Sequence, residues 1–460
     1  MTWCQHECDR GHQFRLLGVV ACGAATFAML AALAVASPAM AEPAATVAHP
    51  AGTAATPYSG LAFDTCAAPS LAAITSWGRS PYRAIGVYIG GINRACSQPE
   101  LTAGWVAAVS KRDWRLLPVY VGLQPPCVIL NTRRKAQGAQ AVKRAAQKIT
   151  PVEAASQGTA AADDAVAKAK ALGMQNGSAV YDDIENYLTT DRSCRATVLG
   201  FVSAWTKELH LLGYLAGAYV NLGSGAPDLS SVYTSMSRAR PDALWVARWD
   251  GNSSLTGWAG IPDSRWAVHQ RAKQFRGTHS ETHGGVTIDI DSNNLDAPVA
   301  TVAYGYTMKI GLNARTGPSS SDPIARTYAS GSRAPVICQA PGSPIGTTSV
   351  WDKLADGTYV TDYYVSTPSN TSYSAPLPRC RYPYQVTASA GLYERTGPGA
   401  SYPAAGLLPE GALTWEFCQR AGSAVGTTSV WDKLQDGHWV SDAFVATPSK
   451  RTHSAPAPHC

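Results

Sequence analysis

Charge is scarce in this chain: of its 460 residues only 15% are charged, with 38 Lys and Arg against 32 Asp and Glu. Alongside 45% apolar residues, that composition builds packed cores and excludes a disordered chain. Basic residues cluster only in the stretch 133–148, so a nucleic-acid binder is excluded as well. No Cys-x-x-Cys spacing occurs, which argues against a zinc site. The first apolar strand is not followed by a glycine-rich phosphate loop, which argues against an open dinucleotide-binding sheet. What is present points elsewhere, to an exported chain of two or three domains.

Arg10 and Arg15 precede an apolar run, Leu16–Val35, and then Ser-Pro-Ala-Met-Ala-Glu at 37–42. Residues 1–41 therefore read as a secretory signal cleaved after Ala41. An uncleaved anchor is the alternative, because the run is nearly long enough to span a bilayer. No twin-Arg pair is present, which favours the general secretory route. Residues 42–57, rich in Ala, Pro and Thr, read as a flexible lead-in. Three of the 11 cysteines fall in the signal, and the remaining eight, an even number, imply a disulfide framework outside the cell. A mild net charge of +6 suits an anionic cell wall. The mature chain is expected to be secreted or wall-associated, monomeric and free of membrane.

The C-terminal half is an internal repeat. IGTTSVWDKLADGTYVTDYYVSTPS (345–369) recurs 80 residues later as VGTTSVWDKLQDGHWVSDAFVATPS (425–449). Cys338 maps onto Cys418 and Cys380 onto Cys460 without a gap, so the repeat predicts the bridges Cys338–Cys380 and Cys418–Cys460. Short alternating strands broken by Gly, Pro and Ser predict two small all-β barrels, over 303–380 and 383–460. Their Arg-Thr-Gly-Pro turn, Trp-Asp-Lys-Leu strand and Asp-Gly hairpin resemble bacterial SH3-like domains, which implies non-catalytic modules that bind wall peptide or glycan. Trp351, Trp431, Tyr363 and Tyr364 are candidates to line such a groove. The two tryptophans read equally well as core.

Between 58 and 297 apolar runs alternate with helical segments. Strands are expected at 58–64, 84–90, 115–122, 178–183, 213–221, 243–250, 265–270 and 286–291. Eight β segments separated by helices predict a (β/α)8 barrel of TIM type, with an open doubly wound sheet as the alternative. The long connection 123–176 carries the basic stretch and a Thr150-Pro-Val-Glu153 capping box, and is expected to lie over the barrel mouth. Cys66, Cys96, Cys127 and Cys194 each follow one of the first four strands. Neighbouring strands suggest Cys66–Cys96 and Cys127–Cys194, although four cysteines allow three pairings.

Chemistry in such barrels sits at the C-terminal strand ends. Acids collect there: Asp64 after strand one, Asp183 and Glu185 after strand four, Asp289 and Asp291 after strand eight. Residues i and i+2 of a strand share a face, roughly 6.6 Å apart, so Asp183 and Glu185 lie together and Asp182 opposes them. Tyr88, Tyr120, Tyr181, Tyr219, Asn221, Trp249 and Gln270 join them. Acids ringed by aromatic side chains suit a sugar, whose apolar face stacks on the rings.

The segments FDTC (63–66), SPYRAIGVYIGGINRACSQPELTAGWV (80–106), RLLPVYVGLQPPC (115–127), YDDIENY (181–187) and GYLAGAYVNLGSG (213–225) resemble a secreted actinobacterial glycoside-hydrolase-like family, the domain of unknown function 1906. More distantly they resemble glycoside hydrolase family 25 lysozymes, which cut peptidoglycan. That resemblance implies Asp64 as the first-strand acid, Asp183-Ile-Glu185 as the D-x-E pair, Leu244–Ala247 as the sixth-strand motif and Asp289 as the last-strand acid. It further implies Glu185 as the proton donor, Asp183 as the residue orienting the substrate acetamide, and no metal or cofactor. Asp291 stands where Asn is expected. A wall-binding protein that keeps the barrel without its chemistry is the competing reading.

Overall fold

The structure, a computed structural model, describes residues 53–129, 147–235 and 237–460. The expected signal, most of the lead-in, and the part of the basic stretch up to residue 146 lie outside the described residues.

Eight strands close a barrel in chain order: β1 (Thr56–Asp64), β2 (Ala84–Gly90), β3 (Arg115–Tyr120), β4 (Ala179–Ile184), β5 (Leu215–Asn221), β6 (Ala243–Ala247), β7 (Arg271–His283) and β8 (Val286–Val299). Among the described residues five helices pack outside it: α1 (Leu71–Trp77), α2 (Ala103–Ser110), α3 (Ala154–Ala171), α4 (Arg192–Leu211) and α5 (Gly225–Ser231). Side-chain oxygens of Ser70, Thr102 and Asp191 start α1, α2 and α4 by accepting from the backbone N–H three residues on. The expected capping box at Thr150 is not made. A short 3₁₀ turn over Pro151–Glu153 precedes α3, and Gln157 Oε1, not Glu153, takes the Thr150 N–H at 2.8 Å.

Two features depart from a uniform (β/α)8 plan. Residues 265–270 are not the seventh strand, because Trp266 and His269 adopt positive φ, 50° and 49°, which no strand tolerates. The seventh strand is 271–283, and Gly284-Gly285, both at positive φ, turn it directly into β8. With no crossover helix between them, β8 runs antiparallel to β7 and to β1, so the barrel is mixed.

Inside the barrel, Ala62, Ala84, Ala179, Ala243, Ala272 and Ala297 make room for two large rings, Tyr181 and Trp245. The floor of that core comes from the second repeat: Leu413 and Trp415 are each 1% exposed within it. The Leu413 N–H donates to Gln270 Oε1 at 3.3 Å, the Trp415 Nε1 to the Val268 carbonyl at 3.4 Å, and Arg240 to the Gly411 carbonyl at 2.8 Å. At about 25 cal/mol per Å2, a buried indole of roughly 200 Å2 contributes ~5 kcal/mol.

Each repeat is a curled six-stranded antiparallel sheet. The first holds β9 (Tyr304–Thr307), β10 (Leu312–Arg315), β11 (Ile324–Tyr328), β12 (Arg333–Ile345), β13 (Thr348–Leu354) and β14 (Tyr359–Thr361). The second holds β15 (Tyr382–Gln385), β16 (Leu392–Arg395), β17 (Ala404–Leu408), β18 (Leu413–Val425), β19 (Thr428–Leu434) and β20 (Trp439–Ser441), in the same spatial order. Four disulfides form: Cys66–Cys96, Cys127–Cys194, Cys338–Cys380 and Cys418–Cys460. Closing loops of 30 to 67 residues, each removes chain entropy worth about 4 kcal/mol from the unfolded state.

Candidate active site

Alternation along β1 turns Phe63 out to the helices and Asp64 into the barrel, at its upper end. Asp64 is 2% exposed and accepts three hydrogen bonds: from Tyr88 Oη at 2.9 Å, Asn293 Nδ2 at 2.7 Å and Gln274 Nε2 at 3.0 Å. The carboxyl oxygens have acceptor sites for all three. Gly86, the β2 neighbour of Asp64, supplies the space, since a Cβ there would meet Asp64 Cβ at 2.6 Å and the Trp245 ring at 3.0 Å.

Each donor is itself held. Asn293 Oδ1 accepts from Trp245 Nε1 at 2.8 Å, which leaves its amide nitrogen facing Asp64. Gln274 Oε1 accepts from Tyr219 Oη at 2.9 Å and Trp249 Nε1 at 2.7 Å, so its nitrogen points to Asp64 and, at 3.3 Å, to Asp291. The Tyr88 hydroxyl is pushed well above its ordinary pKa by burial, and further by the negative charges of Asp64 and Asp183. It therefore stays a proton-bearing donor across any working pH.

On β4, Asp183 pairs in register with Tyr219 and is 7% exposed, while Asp182 faces outward, fully buried, its carboxyl pushed well up by burial. Glu185 follows the strand, half-buried. Gln124 grips this turn from both sides. Its Nε2 donates to the Asp183 carbonyl at 2.7 Å, and its Oε1 accepts from the Glu185 N–H at 2.9 Å. Leu188 N–H donates to the Cys127 carbonyl at 3.2 Å, so the Cys127–Cys194 bridge steadies the far side of the same loop. Trp249 stands 49% exposed beside the rim with its indole nitrogen fixed on Gln274, which holds its ring in one orientation.

Thus the upper rim gathers Asp64, Tyr88, Asp183, Glu185, Tyr219, Trp249 and Asp291. Asn221 ends β5 at the same rim, but its Oδ1 is taken by the Gly223 N–H at 2.8 Å in a local turn. Four expected members sit elsewhere. Asp289 lies on the exposed arm of the β7–β8 hairpin, bonded to Ser280 Oγ at 2.5 Å, because β8 runs downward and its first residues project past the rim. Tyr181 is core, fully buried, its hydroxyl on the Pro298 carbonyl at 2.7 Å. Tyr120 is on the outer face of β3 and bonds Asp164 of α3 at 3.0 Å. Gln270 is at the floor, tying Asp242 to the second repeat. In the repeats, Trp351 and Trp431 are each 2% exposed and donate within their own sheets, to Ser343 and Ser423 carbonyls. Tyr363 and Tyr364 pack edge to face, half-buried.

Gln124, Gln274 and Asn293 carry the geometry and were not singled out from sequence. Gln274 and Asn293 belong to the strand pair whose boundaries and direction alternation alone does not reveal. Gln124 opens the Gln-Pro-Pro-Cys run, whose interest lay in its cysteine.

Residues 75–295, most of the barrel, match the model of the Rv2525c-like, glycoside hydrolase-like domain. Among solved structures, an uncharacterized protein of B. stearothermophilus is similar at 16% identity over 51% of this chain and 95% of its own, with a TM-score of 0.34. The Tat-secreted protein Rv2525c of Mycobacterium tuberculosis is similar at 12% identity over 52% of this chain and 96% of its own, with a TM-score of 0.34. A family 25 glycosyl hydrolase from Bacillus anthracis is similar at 10% identity over 52% and 89%, with a TM-score of 0.28. No curated protein sequence matches the chain.

Proposed function

We propose that the upper rim hydrolyses a glycosidic bond in cell-wall glycan, with N-acetylated sugar as substrate, and that the two repeats hold the enzyme on the wall. The observation that carries this reading is that two inward carboxylates at one barrel end, Asp64 and Asp183, both act on the Tyr88 hydroxyl, with half-buried Glu185 two residues after Asp183. Glu185 gives its proton to the leaving glycosidic oxygen as that C–O bond breaks. Asp183 orients the acetamide N–H, and the acetamide oxygen bonds to the anomeric carbon. Water then opens this ring, and Glu185 takes back a proton. Asp64, locked by its three donors, keeps Tyr88 and Gln274 in register. The four disulfides agree with a working place outside the cell.

One feature favours a second reading, a wall-binding protein without turnover: Asp64 already spends its oxygens on three internal donors. The two readings separate on purified, insoluble peptidoglycan. Glu185→Gln is expected to lower release of new reducing ends by about a thousandfold while still sedimenting with the wall. Sedimentation of wild-type protein without any product would favour the second.

A further inference from the structure

The two repeats align residue for residue at an offset of 80, which makes each a control for the other. In the first, the Asp356-Gly357 turn between β13 and β14 carries a carboxylate that is already matched by a cation. Asp356 Oδ2 accepts from Arg326 Nη1 at 3.0 Å and from Tyr328 Oη at 2.5 Å. In the second repeat the acid is kept, as Asp436, but Gly406 and Leu408 stand in place of Arg326 and Tyr328. Both donors are gone together. Two new side chains arrive at the same spot: Glu394 where the first repeat has Ala314, and His438 where it has Thr358.

The register explains how they meet. Ala314 pairs with Arg326 across β10 and β11, and Glu394 pairs with Gly406 across β16 and β17. The Glu394 carboxylate lies over Gly406, in space that a Cβ would need, where the Arg326 side chain rises in the first repeat. One ligand atom from each of Glu394, Asp436 and His438 lies within 4.8 Å of the other two. Crowding acids here has a cost. Burial, and then the charge of Asp436, push the Glu394 carboxyl above its usual range.

We propose that the second repeat binds a divalent transition-metal ion of the zinc class through Glu394, Asp436 and His438, in the place that the Arg326 guanidinium fills in the first. One imidazole and two carboxylates are a borderline donor set suited to zinc, with water completing the shell, whereas calcium takes six to eight oxygens. Closing the three atoms onto an ion about 2 Å from each takes side-chain rotation in the part-exposed Glu394 and His438 and the exposed Asp436. The ion clips the β19–β20 turn to β16, as the Arg326–Asp356 pair clips the turn of the first repeat to β11.

The test is calorimetric titration of the metal-free, untagged full chain with zinc chloride, alongside its thermal midpoint. Wild type is expected to take up zinc at this site and to melt higher with zinc present. Glu394→Ala with His438→Thr, which installs the residues of the first repeat, is expected to weaken that binding at least tenfold while leaving the metal-free midpoint unchanged. Gly406→Arg, which returns a guanidinium to Asp436, is expected to do the same. A control, His279→Ala with His283→Ala on the barrel hairpin, keeps the site. Wild type that takes up no zinc, or a double variant that binds as wild type does, overturns the proposal.

Discussion

The upper end of the barrel closes on side chains that hydrogen-bond across strands, Asp64 to Tyr88, Gln274 and Asn293, and leaves Trp249 half in solvent. The lower end closes on Leu413 and Trp415 of another module, and the polar groups there, Gln270 among them, serve the join. Both ends belong to the same strands. The difference teaches how the fold divides its work: the lower end is sealed by apolar burial, which frees the upper end to hold ionisable groups in fixed geometry at an opening.

The largest effect expected is at the sealed end. Trp415→Ala should cost about 3–5 kcal/mol and lower the thermal midpoint of the whole chain, while leaving the rim intact and turnover at low temperature unchanged. A midpoint that stays put would show that the repeat merely touches the barrel. At the open end, Trp249→Ala should raise KM for glycan roughly tenfold, equivalent to ~1.4 kcal/mol, with no change in thermal midpoint. Loss of stability without loss of affinity would make Trp249 part of the seal instead.

The smallest effect sharpens the comparison from the side of the sealing module. Its own interior holds three acids, Glu416, Asp432 and Asp442, where the first repeat has Val336 in place of Glu416. Burial first, and then mutual repulsion, push Glu416 and Asp432 well above the usual carboxylate range, and burial raises Asp442 to about 6. The folded form thus holds protons that the unfolded chain, titrating near 4, has released. Stability is full below about 4 and is lost as pH rises through 6 and beyond. Glu416→Val should flatten that decline and gain about 1 kcal/mol at pH 8 over pH 4, read from thermal midpoints at the two values. Equal gains at both would assign the effect to packing alone.

Much of this was legible in the chain. The 80-residue offset gave the two sheets and two of the bridges. Apolar runs gave β1 to β6 to within three residues at each end, because strands buried on both faces carry a run of Ala, Val, Ile and Leu. Asp64, Tyr88, Asp183 and Tyr219 follow from alternation on those strands. Legibility failed where the barrel leaves the parallel plan. The β7 arm of the β7–β8 hairpin carries His, Ser, Thr and Glu in the open and reads as loop, and Arg-Trp-Ala-Val-His-Gln before it reads as strand. Hence Gln270 stands in the sequence reading where the structure puts Gln274, and of the two acids read on strand eight only Asp291 faces Gln274. Tyr120 failed for another reason: an aromatic ring at a strand end looks the same whether it faces the cleft or a helix.

The most direct test of the central claim is the product itself. Purified peptidoglycan digested with the wild-type chain should yield soluble fragments with new reducing ends, identified by mass as cleavage at an N-acetylated sugar. Full sedimentation with the wall and no new reducing end on any wall or glycan tested would contradict it.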